Sequence, residues 1–416
     1  MVGRAGGRAA GTGPVAVTGM GVVSPAGADE YGLWKALLEG RSTARTLGAL
    51  AGLPVDFGCP VDGFDLDEAV GGRSVYRMAR FVKLAVLAAR QAVADAGLDP
   101  NGWDGARVGV VLGVGVGGVS ALVDNARRFD AGGPEAVSPL LVSMMIPNAA
   151  AGEVAIALGA GGPSLAPATA CASGATALAV GRDLLTSDQC DVVVAGGAEA
   201  VLTPLVVTAF TRMGALSTRT AEPALASRPF APDRDGFVIG EGAALLVLER
   251  PGDARARGAR VRALLAGAGS ATDAHHPTAP DPEGRGARRA VEAALRQADW
   301  VPADVGHINA HGTSTPLNDA MESGLIARLF PHRPPVTAPK GVVGHTLAAA
   351  GAIEAVATVL ALEHSLVPPV ANLEAPAEGL PLDCVTGGPR LLRAATGLSH
   401  SFGFGGHNVA LAFQRA

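Results

Sequence analysis

The chain is 416 residues long, 48 % hydrophobic but only 4 % aromatic, with 57 glycines and a formal charge of -5 at pH 7. Such a length buries a large core without disulfides or metals, and a core of Ala, Val and Leu packed closely over glycine suits an α/β protein. The slightly acidic balance gives no general attraction to nucleic acid or to an anionic membrane, so any acidic partner needs a local basic patch.

Residues 1–14 are rich in Gly, Ala and Arg and lack the apolar core of a signal peptide or membrane anchor, so a disordered tail is expected there. Val15-Ala16-Val17-Thr18-Gly19 reads as a strand, Met78 to Ala96 has helical periodicity, and Val108 to Gly113 reads as a second strand. A helix from about Pro147 to Leu158 leads into small residues around Cys171. A further helix is expected over Ala172 to Thr186, then a strand over Asp191 to Gly197. The Gly- and Asp-rich stretch Asp233 to Gly242 feeds the strand Ala243 to Leu248, and Pro251 to Arg260 reads as a connector between halves. The second half repeats the alternation: a strand at Val261 to Gly269, a helix at Glu283 to Ala298, and a strand ending at Asn309. Helix, strand, the helix Ala348 to His364 and strands at Thr396 to Ser401 and Val409 to Phe413 complete it. No run of about 18 apolar residues without Gly or polar interruption marks a membrane span.

Cys59, Cys171, Cys190 and Cys384 show no Cys-x-x-Cys spacing, which favours a reduced, cytoplasmic protein. Of these only Cys171 combines a helix N-terminus with small neighbours, the setting of a reactive thiol favoured as thiolate by the helix dipole. His311 ends a strand in Asn309-Ala310-His311-Gly312-Thr313, and His345 closes Lys340-Gly341-Val342-Val343-Gly344-His345. Two neutral imidazoles so placed could hold a carbonyl oxygen. Lys340 is one of only three lysines among 33 basic residues, as though a compact ammonium were wanted there. His275 and His276 are adjacent but lack further ligands at zinc spacing, and His307, His332, His364 and His400 lack the setting of the other two. No metal site is expected. Gly113 to Gly118 lacks the lysine and hydroxyl of a phosphate loop. The loop Ser401 to Asn408 joins two phenylalanines to three glycines and suits a gate with exposed backbone donors.

These blocks, in this order from about Val15 to Phe413, resemble the elongating β-ketoacyl-acyl carrier protein synthases and the ketosynthases of polyketide pathways. The resemblance implies the thiolase fold, a five-layer αβαβα arrangement of two similar halves, here 15–255 and 256–416. It also implies decarboxylative Claisen condensation, in fatty-acid or type II polyketide synthesis. Cys171 would take the acyl chain from acyl carrier protein, with the N–H groups of Cys171 and Phe404 as oxyanion hole. His311 and His345 would hold the malonyl thioester carbonyl, with Lys340 orienting His345 and Glu322 joining the network. Thr313 and Thr315 match positions that bond the phosphopantetheine arm, Phe404 matches the gate, and no cofactor is required. Cys-His-His separates the chain from thiolases, which use a second cysteine, and from initiating and chalcone-type enzymes, which use Asn. His407 stands where many members carry Thr, and Gly214 where several place an arginine toward the carrier protein, a role open to Arg212. A basic helix face, Arg73, Arg77, Arg80 and Lys83, could receive that partner. The chain would form a homodimer, or a heterodimer with a chain-length-factor-like subunit. An acyltransferase to oxygen or nitrogen nucleophiles and a non-catalytic chain-length partner are the alternative readings.

Overall fold

The computed structural model describes residues 13–416. Of the expected tail, residues 1–12 lie outside the described residues. The main sheet has ten strands: β1 Val15–Val23, β2 Val108–Gly113, β3 Ser164–Leu165, β4 Val192–Glu199, β5 Gly242–Glu249, β6 Ala263–Thr272, β7 Ile308–Asn309, β8 Val336–Thr337, β9 Thr396–Gly403 and β10 His407–Arg415. Their spatial order is β3-β2-β4-β5-β1-β6-β10-β9-β7-β8. In each half the third, second and fourth strands run parallel, while the fifth and first add antiparallel. Both halves therefore have strand order 3-2-4-5-1, and β1 meets β6 antiparallel at the seam. No sequence repeat reveals this duplication, because only the alternation of elements has survived in the residues.

Six helices matter to the architecture: α1 Arg80–Asp95, α2 Ser173–Thr186, α3 Pro204–Arg212, α4 Arg285–Ala298, α5 Pro316–Leu329 and α6 Ala350–His364. Helix α1 covers β1 and β5 outside the first half, and α4 covers β6 and β10 outside the second. Helices α2 and α6 pack on each other and touch strands of both halves, which makes five layers, α1, sheet, α2 with α6, sheet, α4. The outer helices are amphipathic, α1 burying Phe81, Val82, Leu84, Ala85, Ala88, Ala89, Ala92 and Val93. Helix α6 is buried all round from Ala350 to Leu362, so its apolarity reflects its central place. The stretch Leu347–His364 is long and apolar enough to cross a membrane, but 89 % of it is buried inside the protein. The expected connector Pro251 to Arg260 contains a helical turn and a half, Pro251–Ala256, which Pro at its first position nucleates.

Two close approaches set the layer spacing. A methyl group at Gly21 of β1 would lie 1.9 Å from Ala88 O of α1, and one at Gly269 of β6 would lie 2.1 Å from Ala290 O of α4. Between the central helices, a methyl at Gly174 would lie 2.8 Å from Ala348 O and one at Gly351 2.8 Å from Ala175 N. Each central helix is entered through a 3₁₀ turn whose first residue is left-handed without being glycine, Ala170 at φ +50° and Leu347 at φ +49°. Counting from these residues, Cys171 in the first half corresponds to Ala348 in the second.

Gly21→Ala should force β1 off α1 and cost about 1–3 kcal/mol, read as a lowered denaturation midpoint. Gly252→Ala, in the short helix Pro251–Ala256 where nothing lies within 4 Å, serves as the control and should leave the midpoint in place or raise it slightly.

Candidate active site

The chain leaves β3, passes Ala170 and turns into α2, presenting Cys171 at the helix start. Ser173 stabilises the turn: its hydroxyl donates to Ala170 O at 2.6 Å and accepts the Thr169 N–H at 2.9 Å. Cys171 lines a cavity of about 370 Å³ together with His311, His345, Thr313, Thr315, Phe237, Phe402 and Phe404. The thiol is 8 % exposed, and burial pushes it up to about 11. Lys340 and the Phe404 backbone N–H act the other way, whereas the Glu199 and Glu354 charges raise it further. The expected thiolate at a helix N-terminus is thus corrected: desolvation outweighs the helix dipole, and the resting group is the thiol. Cys59 is pushed up to about 12 by burial, and Cys190 and Cys384 are also buried and raised.

His311 follows β7, and its loop is pinned from below by α5. Glu322 is fully buried and accepts the His311 and Gly312 N–H groups, each at 2.8 Å, one on each carboxylate oxygen. Its Oε1 is also 3.1 Å from His400 Nδ1. Lys340 lies beneath the ring of His311, not of His345 as the resemblance implied. Its Nζ donates to His311 O at 2.6 Å and to His311 Nδ1 at 3.1 Å, and pairs with the Glu354 carboxylate. The Cα trace explains the difference: Lys340 opens the short helix Lys340–Val343, which Gly344 ends at φ +68°, turning His345 away from it.

Because Lys340 donates to His311 Nδ1, the proton of the neutral ring sits on Nε2. His345 reaches the same tautomer independently, since its Nδ1 accepts the Leu347 N–H at 3.3 Å. The rings stand 5.5 Å apart, nearly perpendicular at 85°. Both are held well below the ordinary imidazole range by burial and by the Lys340 charge, and His311 also by His345 and His400. Phe402 packs against His311 and Phe237 against His345. The cavity therefore contains two fixed, uncharged N–H donors beside a thiol.

The remaining expected residues also gather here. Thr313 and Thr315 share a hydroxyl hydrogen bond of 2.8 Å on the cavity wall, near Pro316 and Leu317. Phe404 begins the turn between β9 and β10, its ring 6.4 Å from Phe210 of α3. Gly405 and Gly406 of that turn are left-handed, and Gly405 N–H bonds Pro277 O at 2.7 Å. Three buried residues of the network escape a sequence reading. Glu354 is the one buried carboxylate of the apolar helix α6, and Asp319, three residues before Glu322, is pushed up to about 6 by burial while accepting the Phe230 N–H. His400, four residues before Phe404, lacks the sequence setting of His311 and His345, yet it bonds Glu322. Spacing held the clue for two of them: Asp319 and Glu322 share one helix face, and His400 lies on the strand that feeds the gate. His275 and His276 are exposed, with His276 Nδ1 accepting the Thr278 and Ala279 N–H groups. Among the described residues no cluster of three His, Cys, Asp or Glu side chains is arranged to hold a metal ion.

Lys340→Met should leave Glu354, which burial already pushes up to about 7, unpaired in the core and forced to take up a proton, at a cost of about 3–5 kcal/mol. Adding Glu354→Gln should restore part of that loss, as read by chemical denaturation.

The chain is also similar to known proteins. The chain matches the β-ketoacyl synthase N-terminal domain over residues 12–254 and the C-terminal domain over residues 262–374. It is 42 % identical to 3-oxoacyl-[acyl-carrier-protein] synthase 2 of Synechocystis sp., over 96 % of this chain and 98 % of that one. To the protein of the same name in Vibrio cholerae it is 39 % identical, over 96 % and 99 %. A β-ketoacyl synthase structure from Burkholderia phymatum superposes with a TM-score of 0.91 at 34 % identity, over 97 % of this chain and 100 % of that one. A type II polyketide acyl-carrier protein in complex with its ketosynthase matches with a TM-score of 0.90 at 31 % identity, over 97 % and 99 %. The five-layered arrangement of two halves is that of the thiolase-fold ketosynthases, and the chain belongs to the β-ketoacyl synthase family.

Proposed function

We propose that the protein is an elongating ketosynthase, a 3-oxoacyl-[acyl-carrier-protein] synthase acting in fatty-acid or type II polyketide synthesis. The carrying observation is the pair of neutral imidazoles, both protonated on Nε2, sharing one cavity with Cys171. In the first step Cys171 sulfur attacks the thioester carbonyl of acyl carrier protein. The oxyanion is met by the N–H groups of Cys171 and Phe404, and the carrier leaves as a free thiol. In the second, the Nε2–H groups of His311 and His345 hold the malonyl thioester oxygen while the carbon–carboxylate bond breaks. The electron pair becomes an enolate and carbon dioxide departs. The enolate carbon then attacks the acyl-Cys171 carbonyl, and the Cys171 thiolate leaves as the new carbon–carbon bond closes. Neutral donors suit this chemistry, since an imidazolium would give its proton to the enolate and quench it.

The phosphopantetheine arm would lie along Thr313 and Thr315 at the cavity mouth. Of the basic residues expected to receive the acidic carrier protein, Arg80 and Lys83 are engaged, with Glu241 and Asp67 respectively. Arg73 and Arg77 precede α1 and are exposed, and Arg212 ends α3 next to Met213 of the cavity lip. These three carry the docking proposal. A second subunit of the same fold would cover the exposed Val116, Leu122, Phe129, Val142 and Leu165 and pair with the edge strand β3, as a homodimer or a ketosynthase/chain-length-factor heterodimer. A solved relative is titled as such a ketosynthase/chain length factor, with a TM-score of 0.91.

With acyl-carrier substrate, Cys171 should acquire an acyl thioester by mass spectrometry, and Cys171→Ala should abolish it. Acylation that survives the substitution sinks the assignment. His311→Ala and His345→Ala should keep acylation but lose most carbon dioxide release from malonyl carrier. An acyltransferase to oxygen or nitrogen would release no carbon dioxide, and a non-catalytic partner would not acylate. The two half-reactions should also differ in pH response. Acylation should rise steadily from pH 7 to 9, because the thiol titrates near 11. Decarboxylation should stay flat down to about pH 6, the range in which an ordinary imidazole gains its proton but these two remain neutral.

A further inference from the structure

Glu199, the last residue of β4, takes no part in the steps above, yet it is fully buried beside them. Its Oε2 accepts the N–H groups of Gly115 and Val116 at 2.9 Å, and its Oε1 that of Gly117 at 3.1 Å. The glycine-rich loop that lacks the residues to hold a phosphate thus holds an internal carboxylate. This loop leaves the second strand of the first half, as the His311 loop leaves the second strand of the other. A buried glutamate binds consecutive amides in both, Glu199 in one and Glu322 in the other.

The segment so held is packed against the nucleophile turn. Val114 N–H donates to Pro167 O at 3.2 Å. A methyl at Gly113 would lie 2.3 Å from the Ser173 carbonyl, and one at Gly115 3.9 Å from Ala170 O. Without that acceptor, three adjacent N–H groups, of which that of Gly117 is buried, would lose their partner, and the loop would lose the contact that holds it there. The charged and titratable groups around Cys171 are Lys340, His311, His345, Glu354 and Glu199, with Asp235 and Asp273 on the walls of the same cavity. Lys340 favours the thiolate, whereas Glu199 and Glu354 oppose it, and Glu354 is already paired with Lys340. Burial pushes Glu199 itself up to about 7, the three amides limiting the rise.

We infer that Glu199 is a positioning residue for the nucleophile: it clamps the Gly115–Gly117 loop behind the Ala170–Cys171 turn, and its charge restrains ionisation of the Cys171 thiol. The inference rests on Cys171 being the acyl acceptor. Its test is alkylation of Cys171 by iodoacetamide as a function of pH, followed on the Cys171 peptide by mass spectrometry, in the full-length protein. Glu199→Gln removes the negative charge and keeps one acceptor oxygen. A negative neighbour raises a thiol pKa, so its removal should move the profile to lower pH and speed alkylation at pH 8 roughly three- to tenfold. Glu199→Asp keeps the charge but withdraws the oxygens by one methylene. It should leave the profile in place while amide hydrogen exchange at 115–117 accelerates and acylation slows. An unchanged profile in Glu199→Gln overturns the inference, as does protected exchange at 115–117 in Glu199→Asp, which decides the matter even if the glutamine variant does not fold. Alkylation needs no carrier protein, so a wild type that never acylates would overturn the proposed function while leaving the Glu199 comparison readable.

Discussion

The site depends on one buried ammonium. Lys340 is only 1 % exposed, and a cation there is tolerated because Glu354, the His311 carbonyl and the His311 ring share it. From that position its field reaches every reactive group. It lowers the proton affinity of both imidazoles and partly offsets the burial that keeps Cys171 protonated. A guanidinium would be too broad for a pocket that closes on a single nitrogen, which accounts for lysine in a chain that otherwise prefers arginine. Desolvation and one cation together give neutral donors and a dormant thiol in the same small space.

Around this charge the backbone is held by carboxylates. Glu322 binds the amides of the His311 loop, Asp319 the Phe230 amide, and Glu199 those of the glycine-rich loop. Each takes amides that would otherwise point into a water-poor interior, and each is itself made tolerable by those amides. The left-handed residues Ser314 and Phe230 lie in the loops so held. Such conformations persist where surrounding contacts over-determine them, and here the carboxylate clamps supply the contacts.

Much of this was legible in the residues. Cys171, His311, His345 and Lys340 each stand among small neighbours, which identifies them without knowledge of the fold, and alternating apolar runs give the strands and helices of two halves. What distance in sequence does not encode is who faces whom. Lys340 is five residues from His345 and 29 from His311, yet it serves His311, because a short helix and a left-handed glycine intervene. Glu354 hides in an apolar helix that reads as plain core, and His400 in a strand. The state of the thiol followed from burial, which no local pattern reports. The basic helix face dissolved for a similar reason: Arg73 and Arg77 lie before α1, and the two residues within it already have carboxylate partners.

The left-handed turn before each central helix has a meaning for how labour is divided. Both halves kept the strained entry, at Ala170 and at Leu347, but only one placed a nucleophile after it; the other has Ala348. Strain retained without a reactive side chain still has a use, since the same turn supplies the Leu347 amide that fixes the His345 tautomer. One copy of the turn thus presents a thiol, while its twin orients an imidazole. The thiol comes from the first half and His311, His345 and Lys340 from the second, so neither half alone contains the whole cavity.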